Sequence, residues 1–252
     1  LLCLSTTCTL AQRISDELVM KHISYLSSDA LLGRATSSEG ERQAAAYIAQ
    51  QFNAMGLLPM GTKEYYFDFP YRYNANIHDT STVGIADKKG RNVIAFLDNH
   101  APTTIVIGAH HDHLGIGQDK NSLDPNPIGK IHKGADDNAS GVAGVIELAR
   151  YFSNNGITER QNFLFMTFSG EELGLIGSKK WCENPTIPLS TIHCMITMDM
   201  IGRLNDSTKK LMVYGVGTSD SWTNTLEKAN HYFTLKYDSA GIGPSDQTSF
   251  YL

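Results

Sequence analysis

Residues 103–113 read TTIVIGAHHDH, and residues 162–172 read NFLFMTFSGEE. Each stretch is an apolar run that ends in imidazole or carboxylate groups. Apolar runs of this length, rich in β-branched and aromatic residues, are typical of strands that are buried on both faces of a sheet. Three other stretches follow the same pattern and are predicted to be strands: NVIAFLD (92–98), HCMITMDMIG (193–202) and KLMVYGVG (210–217).

Segments with helical periodicity alternate with these runs. The clearest helix begins after Ser38, where Ser38 and Glu41 form a capping box, and it ends at Gly56. Residues 57–90 are aromatic and polar, and they predict further strands and loops of the same domain. Strands and helices that alternate in this way indicate a three-layer α/β/α fold around a central, mostly parallel sheet. The other predicted helices cover residues 13–31, 141–156, 174–184 and 219–233.

The composition is that of one folded domain, which we place at residues 12–252. Of the 252 residues, 41% are hydrophobic, which is enough to build a substantial core. The net charge of −5 and the absence of any Lys/Arg cluster longer than a pair argue against a nucleic-acid partner. No run of about 18 or more apolar residues occurs, so no membrane span is predicted.

The first residues look like the end of a secretory signal peptide. Residues 1–11, LLCLSTTCTLA, carry no charge and end in a small-x-small pattern that suits cleavage before Gln12. This interpretation predicts a secreted or periplasmic protein whose N-terminus is cut in this sequence; a short apolar strand is the alternative. The C-terminus, which stops within an apolar element at Leu252, is also expected to be incomplete. Whether Cys182 and Cys194 form a disulfide stays open.

The polar residues at the ends of the apolar runs predict a metal site. His110, Glu171, Glu172 and Asp199 all stand at predicted strand ends, and ligands of α/β proteins bind at the carboxyl ends of the strands. A carboxylate beside an apolar core must be paired with a positive charge or bound to a cation. A bound metal ion explains all four residues together.

The histidine-rich motif after residue 109 supplies one candidate ligand. His110 and Asp112 are two positions apart, so their side chains can point to the same side of a strand. A metal-bound imidazole needs a partner on its other ring nitrogen. We therefore predict that His110 is a ligand and that the Asp112 carboxylate orients it. His111 and His113 are expected on the rim or the opposite face, and His132 is expected to form a hydrogen bond within a loop at the pocket mouth.

Two pairs of adjacent acidic residues complete the candidate site. The simpler explanation of Asp136 and Asp137 is capping of the helix that follows, but capping accounts for only one of them. A carboxylate at this place can instead bridge two cations that lie about 3.5 to 4 Å apart. The side chains of Glu171 and Glu172 must diverge, so one can bind a metal while the other stays free as a base. An acidic first turn of a helix is the alternative for this second pair.

Four motifs in this order, GAHHDHLG (108–115), GADDNASG (134–141), FSGEELGLIGS (168–178) and MDMIG (198–202), resemble metallopeptidase family 28. That family comprises co-catalytic zinc aminopeptidases, glutamate carboxypeptidases and glutaminyl cyclases, and the resemblance extends over roughly residues 40–252. It implies an α/β/α domain with two zinc ions that share a bridging aspartate. It also implies a role for each matching residue: Asp137 bridges, His110 and Asp199 bind one zinc ion, Glu172 binds the other, Glu171 is the general base, and Asp112 backs His110.

The resemblance also implies a function. It predicts a zinc-dependent exopeptidase that hydrolyses peptides with metal-activated water, with an aminopeptidase as the first interpretation. A glutaminyl cyclase-like acyltransferase and a non-catalytic domain of the same fold are the alternatives. The family's last zinc ligand, a histidine beyond the segment that starts at Ser245, matches no residue of this sequence. Side-chain specificity and oligomeric state stay open.

Overall fold

The computed structural model describes residues 13–73, 86–118 and 121–252. Its centre is a six-stranded sheet in the order β1-β3-β5-β4-β6, with β2 paired to β3. The strands of this sheet are β1 (Leu58–Pro59), β2 (Tyr66–Tyr73), β3 (Ala86–Leu97), β4 (Thr104–His110), β5 (Asn162–Phe168) and β6 (Ile192–Thr197). The α-helices of the described ranges are α1 (Asp16–Leu26), α2 (Glu39–Ala54), α3 (Gly141–Asn154), α4 (Ile176–Glu183), α5 (Trp222–Ala229) and α6 (Gln247–Tyr251). Strands β7 (Lys210–Val213) and β8 (Thr234–Tyr237) form a second, parallel sheet.

The central sheet is mixed, whereas the sequence predicted a mostly parallel one. Strand β4 lies parallel to β5 and β6, while β3 runs antiparallel to β1, β2 and β5. Only residues 98–103 connect β3 to β4, and a parallel crossover needs about a dozen residues or more. Strand β3 must therefore run opposite to β4. The run 210–217 also departs from the prediction, because it supplies β7 of the second sheet.

The side chains of β5 alternate between two cores, which confirms the three-layer α/β/α fold. Phe163 and Phe165 belong to the core that also contains the apolar faces of α2 and α3. Leu164 and Met166 belong to the core on the other face of the sheet, which contains Trp181 of α4. Every residue of β5 is buried, and this double burial is the reason that the strand is a continuous apolar run in the sequence.

Strand β6 is only partly buried, although the sequence predicted burial on both faces. Ile196 in this strand is 45% exposed. Among the described residues, β6 pairs with β4 alone and forms the edge of the sheet. The edge position explains the exposure, because the layers that cover β4 and β5 cover β6 less completely.

The predicted helix at residues 13–31 is in fact two elements. Helix α1 ends at Leu26, and a tight turn follows at Asp29–Arg34. Leu32, Gly33 and Arg34 have φ angles of 46°, 71° and 50°, and a right-handed helix cannot continue through such residues. The start of α2 is as predicted, because the Ser38 hydroxyl accepts the backbone N–H of Glu41 at 3.1 Å.

Three other expectations concern the chain as a whole. The signal-peptide remnant predicted for residues 1–11 lies outside the described residues. Within the ranges that the structure describes, no helix is both long and apolar enough to cross a membrane. Cys182 and Cys194, whose pairing the sequence left open, are both free thiols.

Candidate metal centre

His110, Asp137 and Asp199 form the first group of candidate ligands. His110 ends β4, and its Nε2 atom lies 3.2 Å from Asp137 Oδ1 and 3.5 Å from Asp199 Oδ1. Asp137 lies in the irregular turn before α3, and Asp199 lies just after β6. The three side chains come from separate segments and could hold one metal ion between them. The structure thus brings together three of the residues that the sequence singled out.

A second group lies beside the first and contains His113, Asp137 and Glu172. The Nδ1 atom of His113 lies 2.6 Å from Glu172 Oε1 and 3.8 Å from Asp137 Oδ2. The prediction that His113 lies on the rim or the opposite face is therefore wrong. It assumed that strand alternation continues past His110, but β4 ends there, and the chain turns so that His113 N–H bonds to the Arg34 carbonyl at 3.1 Å.

Asp137 belongs to both groups and offers each of them a different oxygen atom. Its Oδ1 atom faces His110, and its Oδ2 atom faces His113. The Asp137 side chain is 33% exposed, so it projects into the open site and not into the core. A carboxylate in this position can bind one cation through each oxygen.

Asp136, the neighbour of Asp137, has a different role. The side chains of Asp136, Asn138 and Ser140 all point toward the segment that carries Asp199. The Asp136 carboxylate accepts the N–H of Gly202 at 2.8 Å, and the Asn138 amide donates to the Met198 carbonyl at 2.9 Å. The Ser140 hydroxyl accepts the N–H of Ile201 at 3.1 Å. These bonds fix the Asp199 loop against the Asp137 turn and leave Asp137 free to face the ligand groups.

Glu171 and Glu172 diverge, as the sequence predicted. Glu172 turns toward His113, whereas Glu171 Oε2 lies on the other side of the site, 3.9 Å from His110 Nε2. Burial raises the pKa of Glu171 to about 9, and the negative charges of Asp112, Asp246 and Glu172 add to this shift although His110 opposes it. Burial also raises the pKa of Glu172. At a pKa of about 9, the Glu171 carboxyl of the metal-free site keeps its proton at neutral pH.

Asp112 lies behind His110 and is completely buried. Its carboxylate accepts the Thr36 hydroxyl at 2.7 Å and the backbone N–H of Glu171 at 3.2 Å. The Nδ1 atom of His110 lies 3.7 Å from this carboxylate and 3.2 Å from the backbone carbonyl of Asp112. Burial alone would lower the pKa of His110, but the carboxylates of Asp112, Asp137 and Asp199 raise it well above its ordinary value. Asp112 thus connects the first histidine to the glutamate pair.

A cavity of about 510 Å³ opens beside Asp137 and Glu172. Its other walls come from residues 114, 121–124 and 130–132, within the loop that the sequence placed at the pocket mouth. His132 Nε2 lies 2.7 Å from the Ser122 hydroxyl, so its predicted role as a hydrogen-bonding loop residue is confirmed. A substrate of modest size can therefore enter next to the second ligand group.

The ligand chemistry of both groups suits a divalent metal ion. Each group contains one imidazole and two carboxylates, which are ligands that zinc accepts readily. Three protein ligands with an open position are typical of a catalytic zinc ion, whereas a structural zinc ion usually has four. The buried carboxylates also need compensating positive charge. The residues present therefore fit zinc at this site.

Comparison with known proteins assigns the family. Residues 92–251 match Peptidase family M28. This match covers more than half of the chain, so the protein belongs to that family. The prediction made from the four sequence motifs is confirmed.

Individual relatives are moderately similar. The chain is 33% identical over 147 residues to the alkaline phosphatase isozyme conversion protein of Escherichia coli (strain K12), and this stretch covers 58% of the chain and 40% of that protein. It is 30% identical over 130 residues to leucine aminopeptidase 1 of Coccidioides posadasii (strain C735), covering 50% of the chain and 31% of that protein. The chain thus spans two fifths or less of the length of these relatives.

Solved structures share the fold at lower identity. A leucine aminopeptidase precursor from Bacteroides thetaiotaomicron has a TM-score of 0.69 and 18% identity, covering 95% of this chain and 82% of that one. A glutaminyl cyclase from the same organism has a TM-score of 0.69 and 17% identity, covering 95% and 81%. A zinc aminopeptidase from Bacillus subtilis has a TM-score of 0.68 and 16% identity, covering 95% and 83%. At these identities the comparisons show the fold alone.

The pKa of Glu171 leads to a prediction about metal binding. At a pKa of about 9, Glu171 holds a proton at neutral pH in the metal-free protein, and a cation bound next to it lowers that pKa. Zinc binding should therefore release protons, and Glu171→Gln should release about one proton fewer than the wild type. Calorimetric titrations in buffers of different ionisation enthalpy count these protons.

Glu183→Gln is the matched control for this measurement. Glu183 is exposed, and its hydrogen bond to Lys180 lowers its pKa, so the carboxyl is already ionised at neutral pH. This variant should release as many protons as the wild type. Equal proton counts for Glu171→Gln and the wild type would contradict the account.

Proposed function

We propose that this protein is a zinc-dependent aminopeptidase that hydrolyses peptide substrates with two zinc ions. The position of Asp137 is the observation that carries the proposal, because its two oxygens face two separate groups of ligands. In this proposal His110, Asp137 and Asp199 hold one zinc ion, and Asp137, Glu172 and His113 hold the other. His113 thus fills the third ligand position of the second group, where the resemblance implied a histidine that matches no residue of this sequence.

The comparisons support this activity. The protein belongs to a peptidase family, and the matched relative from Coccidioides posadasii is named a leucine aminopeptidase. The similar structure from Bacillus subtilis is described as a zinc aminopeptidase. We propose a peptide substrate and zinc ions for this protein as well, because its own ligand groups fit zinc. A single catalytic domain at residues 12–252 and a secreted or periplasmic location, based on residues 1–11, belong to the same proposal.

The residues of the chain divide the chemical work. When bound, zinc supplies Lewis acidity, which polarises a carbonyl group and makes water more acidic. Glu171 acts as the general base: its carboxylate takes the proton from the attacking water and delivers it to the leaving amine. Asp112 accepts the backbone N–H of Glu171 and lies against His110. It therefore fixes the position of Glu171 relative to the first ligand group. The cavity beside Glu172 receives the substrate.

A glutaminyl cyclase is the alternative that the fold comparison keeps open, because a solved glutaminyl cyclase matches as well as the aminopeptidases do. The two reactions differ in their need for the second ligand group. For a cyclase of this family the resemblance implies one zinc ion, whereas this protein has two groups of candidate ligands that share Asp137. We therefore favour the hydrolase.

Glu171→Gln should lower the turnover of an aminoacyl p-nitroanilide by roughly two to four orders of magnitude, which is the usual contribution of a positioned acid-base group. Its zinc content should stay near that of the wild type, because Glu171 belongs to neither ligand group. Initial rates and elemental analysis on the same preparations give both quantities. Glu183→Gln again serves as the control and should keep full activity.

Two results would count against the proposal. One is a Glu171→Gln variant with wild-type turnover, which would remove Glu171 from the role of base. The other is a wild-type protein that cyclises an N-terminal glutaminyl peptide but hydrolyses no p-nitroanilide. That second result would favour the cyclase.

Zinc stoichiometry should fall in steps across three variants. Asp137→Ala should lose both ions, because one carboxylate serves both groups and also offsets the repulsion between the cations. His113→Gln should lose one ion, because His113 belongs to a single group. Asp136→Ala should keep both, because Asp136 is bonded to the Gly202 N–H. Elemental analysis after equilibrium dialysis measures the content of each variant.

This series separates the proposed centre from simpler ones. Equal zinc content in Asp137→Ala and Asp136→Ala would show that the wrong aspartate has been chosen. Full loading of His113→Gln would remove His113 from the ligands.

A further inference from the structure

Arg34 is a buried arginine that lies outside all four sequence motifs. It ends the turn Asp29–Arg34, and its residue exposure is only 1%. Within the described part of the chain, no carboxylate lies at hydrogen-bond distance from its guanidinium group. The group donates instead to four backbone carbonyls: His111 at 2.9 Å, Lys133 at 2.9 Å, Gly134 at 3.0 Å, and Leu26.

Three of these contacts connect the two loops that carry the metal ligands. The His111 carbonyl lies in the loop between the ligands His110 and His113. The Lys133 and Gly134 carbonyls lie in the segment that leads into Asp137. A guanidinium group is planar and presents five donors in a fixed arrangement, so one side chain can hold both loops at a set separation.

The backbone around Arg34 holds the histidine loop as well. We call residues 33–36 the bracing turn. The Arg34 carbonyl accepts His113 N–H at 3.1 Å, the Gly33 carbonyl accepts Gly115 N–H at 2.9 Å, and the Thr36 hydroxyl donates to Asp112 at 2.7 Å. Gly33 has a φ of 71°, and a Cβ atom there would lie 2.4 Å from the Gly115 oxygen. The bracing turn therefore packs tightly against the ligand loop.

The charge of Arg34 has a direct relation to the site. Burial lowers the pKa of Arg34 to about 10, and the carboxylates of Asp112, Asp137 and Glu172 oppose this effect, so the group stays charged at neutral pH. A buried cation that is satisfied only by carbonyls costs desolvation free energy. The nearby carboxylates and the hydrogen bonds to both ligand loops indicate that Arg34 acts on the metal centre.

We propose that Arg34 is a positioning residue of the zinc centre, which sets the separation between the histidine loop and Asp137. This inference rests on the function proposed above. With Arg34 in place, the two oxygens of Asp137 reach both ligand groups. Without it, either loop can relax away from the other, and the ligands of both groups lose their common geometry.

Two variants of Arg34 and one control test this proposal. Arg34→Met removes the charge and the donors, whereas Arg34→Lys keeps the charge but cannot bond to both loops. Zinc affinity, measured by competition with a chelator, should fall roughly 10- to 100-fold in both variants, as it does when residues that orient metal ligands are removed. The visible spectrum of the cobalt-loaded protein should change in both variants, because it reports the ligand geometry.

Arg150→Met is the matched control. Arg150 is also a largely buried arginine, and it bonds to Glu147 and to the Arg13 carbonyl, away from the ligand loops. This variant should lower the melting temperature of the metal-free protein but leave zinc affinity and the cobalt spectrum unchanged. A loss of stability alone therefore does not imitate the expected result.

Several outcomes would overturn the proposal. Wild-type zinc affinity in Arg34→Met would show that the residue does not position the ligands. Full rescue by Arg34→Lys would assign its effect to charge and not to geometry. Failure of both variants to fold would assign Arg34 to the stability of the fold. A wild-type protein that binds no zinc contradicts the proposed function itself, whereas equal zinc binding by the wild type and Arg34→Met contradicts only the role of Arg34.

Discussion

The repulsion among carboxylates at one edge of the sheet is the constraint on which the site depends. Asp112, Glu171 and Glu172 lie close together where little water reaches them, and the more exposed carboxylate of Asp137 lies beside them. Negative charges repel more strongly in such a place than in water. Burial is the main cause of a pKa of about 9 for Glu171 and about 7 for Asp246, and the charges of neighbouring carboxylates add to both shifts. Two imidazoles and Arg34 offset only part of this charge. Bound cations are the physical condition under which the ionised site is stable.

The fold prevents the carboxylates from moving apart. Strands β4, β5 and β6 run in the same direction, so the segments that follow them meet at one edge of the sheet. Backbone bonds tie these segments together: His111 N–H bonds to the Phe168 carbonyl at 2.8 Å, and Met198 N–H bonds to the Gly108 carbonyl at 2.9 Å. The side chain of Asn138 adds a bond to the Met198 carbonyl at 2.9 Å. The packed sheet and these hydrogen bonds thus hold in place carboxylates whose negative charges repel one another.

The sequence predicted the parts of this site that depend on local pattern. Apolar runs that end in polar residues identified His110, the glutamate pair and Asp199, and the structure brings them together. The position of His113 was missed because side chains alternate between the two faces only within a strand, and β4 ends at His110. Arg34 and Thr36 were missed because their contacts join residues up to 100 positions apart, which no local pattern can show. The direction of β3 follows from the short connection to β4. The predicted ends of these two strands already implied that the connection is short.

A crystal structure of the zinc-loaded protein, with anomalous diffraction recorded at the zinc absorption edge, tests the shared metal centre most directly. We expect two anomalous peaks. One lies against His110 and Asp199, the other lies against His113 and Glu172, and one oxygen of Asp137 contacts each of them. A single peak, or a second peak that His113 does not contact, would contradict this expectation.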